Sequence, residues 1–156
     1  MADYEHIHGN LVRQQKALHL LEELLGEEFA LLREGKTEDV VSLEFSIHEL
    51  LRQVAVERAE IKDIMQNTRL MEYAGLLPED QGEAIMKLVK SIDEAEQRSA
   101  RQASLNTRIS LALLDQSQEL LSYLQDSIAP KNTAVYGSRG TYRNYRPQAA
   151  LISGRM

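Results

Sequence analysis

The stretch LLEELLGEEFALLREGKTEDVVSLEFSIHELL, residues 20–51, joins two apolar repeats through a short polar turn. Leucines recur every seven residues up to the turn: Leu11, Leu18, Leu25 and Leu32. β-Branched residues recur in the same way after it: Val40, Ile47, Val54 and Ile61. Spacing by seven keeps apolar side chains on one seam of a helix, as in coiled coils. The stretch therefore predicts two long helices that pack along a seam.

The turn between the two repeats predicts how the helices are arranged. Gly35 suits the left-handed residue that follows a helix, and Thr37 suits the N-cap of the next one. Because the connection is short, the helices should lie antiparallel as a hairpin. Glu57 interrupts the leucine repeat of the second helix, and we interpret it as lying at an exposed layer. A polar residue that fixes the pairing register is the alternative.

The rest of the chain predicts a third long helix. Gly75, Pro78 and Gly82 lie close together and indicate a connector with about one helical turn before Pro78. Pro130 ends the helix that follows. The predicted fold is all-α, with a long antiparallel, coiled-coil-like hairpin, a third long helix and a flexible C-terminal tail. The predicted limits are a helical body over residues 1–129, with helices over about 9–34, 38–66 and 83–128, and a tail over 130–156.

The end of the third helix holds more large aliphatic side chains than one narrow seam can bury. With neighbouring apolar residues they should wrap more than half of the helix surface. They are predicted to contact a protein partner: Leu113, Leu114, Leu120, Leu121, Leu124 and Ile128. A three-helix core or a dimeric core would also account for most of them. The sequence leaves the oligomeric state open between a monomer and a homodimer.

The tail differs from the body in charge. Residues 130–156 contain five of the 18 lysines and arginines and none of the 24 acidic residues, although the whole chain has a net charge of −6. An acidic body repels phosphate, so nucleic acid is not expected as a partner. A segment of arginine, tyrosine and glycine suits folding on a protein partner. We expect this tail to stay disordered until it is bound.

The sequence offers no pattern typical of an enzyme, a metal site or a cofactor site. Cysteine is absent, which excludes disulfides and thiol chemistry. His6 and His8 are interpreted as exposed polar residues, because a divalent metal needs three or four rigid ligands. A cluster of carboxylates is interpreted as a solvated helix face: Glu22, Glu23, Glu27 and Glu28. We therefore predict a protein that is not an enzyme.

The sequence also shows no recognisable targeting signal. The opening residues MADYEHIHGN are charged and lack the apolar core of a signal peptide. No apolar run approaches the roughly 20 residues that a membrane-spanning helix needs. We expect a soluble cytoplasmic protein that does not insert into a membrane.

The chain resembles the FlgN family of flagellar type III export chaperones over essentially its whole length. Residues 20–51 look like the first two helices of that family. LNTRISLALLDQSQELLSYL, residues 105–124, followed by VYGSRG, residues 135–140, is similar to the family's final amphipathic helix and Tyr-Gly-x-x-Gly element. The matching residues are Tyr136, Gly137 and Gly140, preceded by Asn106 on the helix. Residues 141–156 depart from the family pattern, and no role is carried over to them.

The resemblance implies a function. Members of the family bind the hook–filament junction proteins FlgK and FlgL before export and dock on the export-gate protein FlhA. The C-terminal part holds the cargo, and Tyr136, with Gly137 and Gly140 beside it, corresponds to the gate-docking element. A structural coiled-coil adaptor or oligomerising protein with no export role is the main alternative. A regulator whose basic tail contacts nucleic acid is a second one.

Overall fold

The computed structural model describes residues 3–128. Its first helix, α1, spans Tyr4–Glu34. Asp3 is the N-cap, and its Oδ1 accepts a hydrogen bond from the backbone N–H of Glu5 at 3.2 Å. This bond satisfies one of the N–H groups that a helix start leaves free. The helix therefore begins before the predicted residue 9, and His6 lies within its first turn.

The turn that closes α1 has the predicted glycine geometry. Gly35 has a φ of 71°, and its N–H donates to the carbonyl of Leu32 at 3.2 Å. A side chain is strained in this left-handed conformation, which explains the glycine. The second helix, α2, spans Thr37–Met65, and its N-cap is Lys36, one residue before the predicted Thr37.

α1 and α2 pack as an antiparallel hairpin, as predicted. Near the start of α1, Asn10 donates through Nδ2 to the carbonyl of Glu57 at 2.9 Å and to Oε2 of Glu60 at 3.0 Å. Arg13 donates to both carboxylate oxygens of Glu57 at 2.7 and 2.9 Å. The Glu57 side chain is only 13% exposed, so placing it at an exposed layer was wrong. Glu57 pairs with α1 because the guanidinium of Arg13 donates one hydrogen bond to each of its two carboxylate oxygens.

The core of the hairpin follows the repeats. All four β-branched residues of α2 are buried, as the seven-residue spacing predicted: Val40, Ile47, Val54 and Ile61. α1 buries two repeats, Leu11–Leu18–Leu25 and Ile7–Gln14–Leu21–Glu28. The second repeat contains polar members, and the hydrophobicity pattern did not show it.

Within residues 3–128, two further helices follow the hairpin. α3 spans Leu70–Leu76, and α4 spans Glu79–Ile128 directly after Pro78. The connector thus holds nearly two helical turns. A Cβ on Gly82 would lie 2.5 Å from the carbonyl oxygen of Ala74, so α3 and the start of α4 approach closely at a glycine. Within residues 3–128 all regular structure is helical, which confirms the predicted fold class.

The chain divides into two compact units, Met1–Ala112 and Leu113–Met156. The described part of unit 1 contains α1, α2, α3 and α4 as far as Ala112. The described part of unit 2 is the helical segment 113–128. The predicted tail, 130–156, lies outside the described residues. The predicted division between a body over 1–129 and a tail therefore stays a prediction.

Candidate binding surface

Segment 113–128 carries an exposed apolar stripe. Each of the six aliphatic residues predicted from the sequence is between 38% and 78% exposed: Leu113, Leu114, Leu120, Leu121, Leu124 and Ile128. At about 100° per residue they fall within an arc of about 120°. Asp115, Glu119 and Asp126 occupy the opposite side. The segment is an amphipathic helix, and the six residues form one stripe; Leu111, which is also exposed, lies outside that arc.

Earlier in α4, residues with the same seven-residue spacing are buried. Ile85, Ile92, Ser99 and Asn106 are all less than 8% exposed. Leu113 and Leu120 continue this series, yet every residue from Ser110 to Ile128 is exposed. The exposed leucines therefore have the spacing of a core seam. Their role in binding a partner stays a prediction.

A buried polar cluster connects α1, α2 and α4 within unit 1. Asn106 is 3% exposed, and its Nδ2 donates to Oε2 of Glu28 at 2.6 Å and to the carbonyl of Leu25 at 2.9 Å. Glu28 is 7% exposed, so its assignment to a solvated face was wrong. It is buried because it continues the repeat that includes Leu21. That spacing, and Asn106 seven residues after Ser99, are the sequence signals that could have indicated the cluster.

The electrostatics of this cluster centre on Glu28. Burial raises the pKa of Glu28, the hydrogen bond from Asn106 lowers it, and the nearby carboxyl of Glu44 raises it again. The net result is a raised pKa. His48 lies 3.6 Å from Glu44, measured from Nε2 to Oε2, and opposes part of the increase. Folding thus disfavours the ionised form of Glu28.

The candidate metal ligands have other partners. Nε2 of His6 lies 2.9 Å from Oε1 of Glu60, and His8 packs against the ring of Tyr4 with 5.4 Å between ring centroids. Oε1 of Glu22 pairs with the guanidinium of Arg98 at 3.0 Å. Among residues 3–128, no group of three or more histidine and acidic side chains is arranged to hold a metal ion.

Two further sequence predictions concern other parts of the chain. Tyr136, Gly137 and Gly140 lie outside the described residues, so their assignment to gate docking stays a prediction. In the part of the chain that the structure describes, none of the helices has the length and apolar character needed to cross a membrane.

These features define a class: an all-α protein whose described surface includes an exposed apolar helix face. The family model described as FlgN protein matches residues 1–144 of the 156. The chain therefore belongs to the FlgN family, a family of flagellar export chaperones, as the sequence resemblance indicated. Neither the curated proteins nor the solved structures gave a match.

Proposed function

We propose that this protein is a cytoplasmic export chaperone for the hook–filament junction proteins FlgK and FlgL. It binds them before secretion, prevents their premature assembly and delivers them to the export gate through FlhA. The observation that carries the proposal is the exposed apolar stripe of segment 113–128 in a chain of the FlgN family.

The stripe suits a helical cargo segment. An amphipathic partner helix can lay its apolar face along leucines spaced by three and four residues, as in helix-in-groove recognition. Removing one leucine side chain from water contributes about 1.5–3 kcal/mol. Much of that gain is offset by lost freedom on association. Several leucines must therefore act together, which agrees with a stripe of six.

The cargo site can be tested with a double substitution. We expect Leu121→Ala with Leu124→Ala to weaken FlgK binding at least about tenfold, which corresponds to a combined loss of about 1.4 kcal/mol or more from the two truncated contacts. Both residues are exposed, so the fold should be retained. The matched control is Val56→Ala with Leu76→Ala, which also removes two exposed aliphatic side chains (56% and 70%). Isothermal titration calorimetry on both variants gives the comparison.

Two outcomes would contradict the cargo assignment. One is unchanged FlgK affinity in the double variant while circular dichroism shows a native helical signal. The other is equal weakening in the control, which would mean that exposed aliphatic residues in general drive association. If the free protein forms higher-order assemblies in light scattering and does not bind FlgK or FlgL, the structural adaptor is the correct interpretation.

Gate docking is assigned to Tyr136, with Gly137 and Gly140 beside it, on the basis of the family element. A tyrosine offers an apolar ring and a hydroxyl together, which is common in binding hot spots. We expect Tyr136→Ala to preserve FlgK affinity and to weaken the binding of the FlgK-loaded chaperone to FlhA. Loss of FlgK binding instead would place this tyrosine in the cargo site.

A further inference from the structure

A groove runs between α2 and α4, with α1 as its floor. Its central cavity has a volume of about 370 Å³ and is floored by Leu18, Leu21 and Leu25. A cavity of about 320 Å³ shares Leu25 with it. At the other end of the central cavity, an ion pair between Arg58 of α2 and Glu96 of α4 spans the groove and separates it from a cavity of about 250 Å³. The two cavities that share Leu25 follow α1 from residue 18 to residue 28, a distance of about 15 Å at 1.5 Å per residue.

The groove is open because small residues of α4 face the leucines of α1. Ala100 and Ala103 line one wall, and Leu51 and Ala55 of α2 line the other. Leu51 is 46% exposed although it is a large aliphatic residue on the inner side of the seam. Small side chains leave unfilled space beside apolar neighbours, and covering those neighbours is favourable.

A buried hydroxyl in the groove lacks a partner. Ser99 lies in the same wall and is 5% exposed, yet its Oγ has no hydrogen-bond partner among the described residues. A serine inside a helix commonly donates to the carbonyl four residues before it, and here no such bond forms. Leaving a buried hydroxyl unpaired costs about 1–3 kcal/mol, so this wall favours a ligand that supplies a polar atom.

One end of the groove is acidic. Glu28 and Glu44 both line the cavity at that end. Within residues 3–128 neither carboxyl pairs with a lysine or an arginine, and the titratable neighbour on α2 is His48. α4 contributes the neutral amide of Asn106 there. A cation brought by a ligand would therefore find two carboxyls without a strong basic partner.

The shape and chemistry together select one kind of occupant. The floor and walls of the central cavity are mainly aliphatic, and apart from Ser99 and the Arg58–Glu96 ion pair at its end they offer few hydrogen-bond partners. An extended peptide would leave backbone N–H and C=O groups unpaired there, whereas a helix satisfies its own. About 15 Å corresponds to a helix of about ten residues.

We propose that this groove receives an amphipathic helix of the export substrate, with an aliphatic stripe over Leu18, Leu21 and Leu25 and a lysine or arginine beside Glu44. The proposal rests on the proposed function in taking the helix from the substrate. It uses residues of unit 1 and is a second contact in addition to the stripe of segment 113–128.

Substitutions that fill the groove with a large side chain test this proposal. Ala100→Trp and Ala55→Trp each add a large ring from an exposed position on opposite walls, so the fold should survive in at least one. Gln97→Trp is the control, because Gln97 is exposed on α4 and does not line the groove. With purified FlgK and full-length chaperone in calorimetry, we expect a loss of affinity of tenfold or more for the wall variants and less than twofold for the control.

A charge variant tests the acidic end. Glu44→Gln should weaken FlgK binding severalfold and reduce its salt dependence, because a charge pair across the interface is lost. Wild-type affinity in this variant would remove the basic side chain from the proposal.

The outcomes separate the two proposals. If the wild type binds FlgK and both folded wall variants bind equally well, the groove inference is overturned and the proposed function stands. If the wild type does not bind junction proteins, both fail. If the wall variants change only the oligomeric state of the free chain in light scattering, the groove holds a second copy and the substrate assignment is wrong.

Discussion

Replacing Asn106 by alanine should destabilise unit 1 measurably. The hydrogen bond of 2.6 Å to the Glu28 carboxylate is charge-assisted, and its loss costs about 1.5–3 kcal/mol. The bond to the Leu25 carbonyl, at 2.9 Å, adds about 1 kcal/mol. Alanine has the higher helix propensity, which offsets up to about 0.7 kcal/mol of this loss. The expected net loss is about 2–3 kcal/mol at neutral pH.

Urea unfolding followed by circular dichroism measures this loss. Because Asn106 lowers the pKa of Glu28, its removal makes the buried carboxylate harder to ionise, and the loss should shrink as the pH falls through the raised folded-state pKa of Glu28. The control is Thr107→Ala, since the Thr107 hydroxyl is exposed and donates to Ala103 of its own helix. It should change stability by less than about 0.5 kcal/mol. Equal effects of the two substitutions, or a loss that does not vary with pH, would refute the reasoning.

Further predictions concern Glu28 and two glycines. Glu28→Gln should stabilise the protein at pH 7. Folding raises the pKa of Glu28, so the wild type loses stability as the pH rises through that raised pKa, and glutamine removes this loss. In urea titrations, the stability difference between the variant and the wild type should disappear below about pH 4.3. Gly26→Ala should raise the melting temperature, gaining about 1 kcal/mol of helix propensity, because nothing lies within 4 Å of the added methyl group. Gly82→Ala should lower the melting temperature despite the same gain, because its methyl would meet the Ala74 carbonyl oxygen at 2.5 Å. A raised melting temperature for Gly82→Ala would contradict the close approach of α3 and α4 at this glycine.

The helical hairpin could be predicted because its signals are local. The seven-residue repeats of α1 and α2 and the glycine at residue 35 specify seams and a turn through neighbouring residues alone. The buried repeat that contains Gln14 and Glu28 was missed for a physical reason. Polar residues are placed in a core by partners that are distant in sequence, and Asn106 lies 78 residues from Glu28.

The two candidate surfaces also differ in how far the sequence could predict them. The apolar stripe of segment 113–128 could be predicted, since exposed leucines at helical spacing are visible in one segment. The groove could not, because it depends on how far α2 and α4 stand apart over α1. The small residues Ala100 and Ala103 were recognisable as a weakly apolar stretch of α4, but their spacing does not say which neighbour leaves the space open.

Hydrogen–deuterium exchange of the full chain, with and without purified FlgK, tests the central claim most directly. In the free protein the exposed helical segment 113–128 should exchange faster than the buried turns of α1, since few buried contacts protect its backbone hydrogen bonds. With saturating FlgK, the account predicts that exchange over residues 113–128 slows by at least about tenfold, as expected for about 1.4 kcal/mol or more of added local stability. Unchanged exchange over this segment in a complex that demonstrably forms would contradict its assignment as the cargo-binding surface.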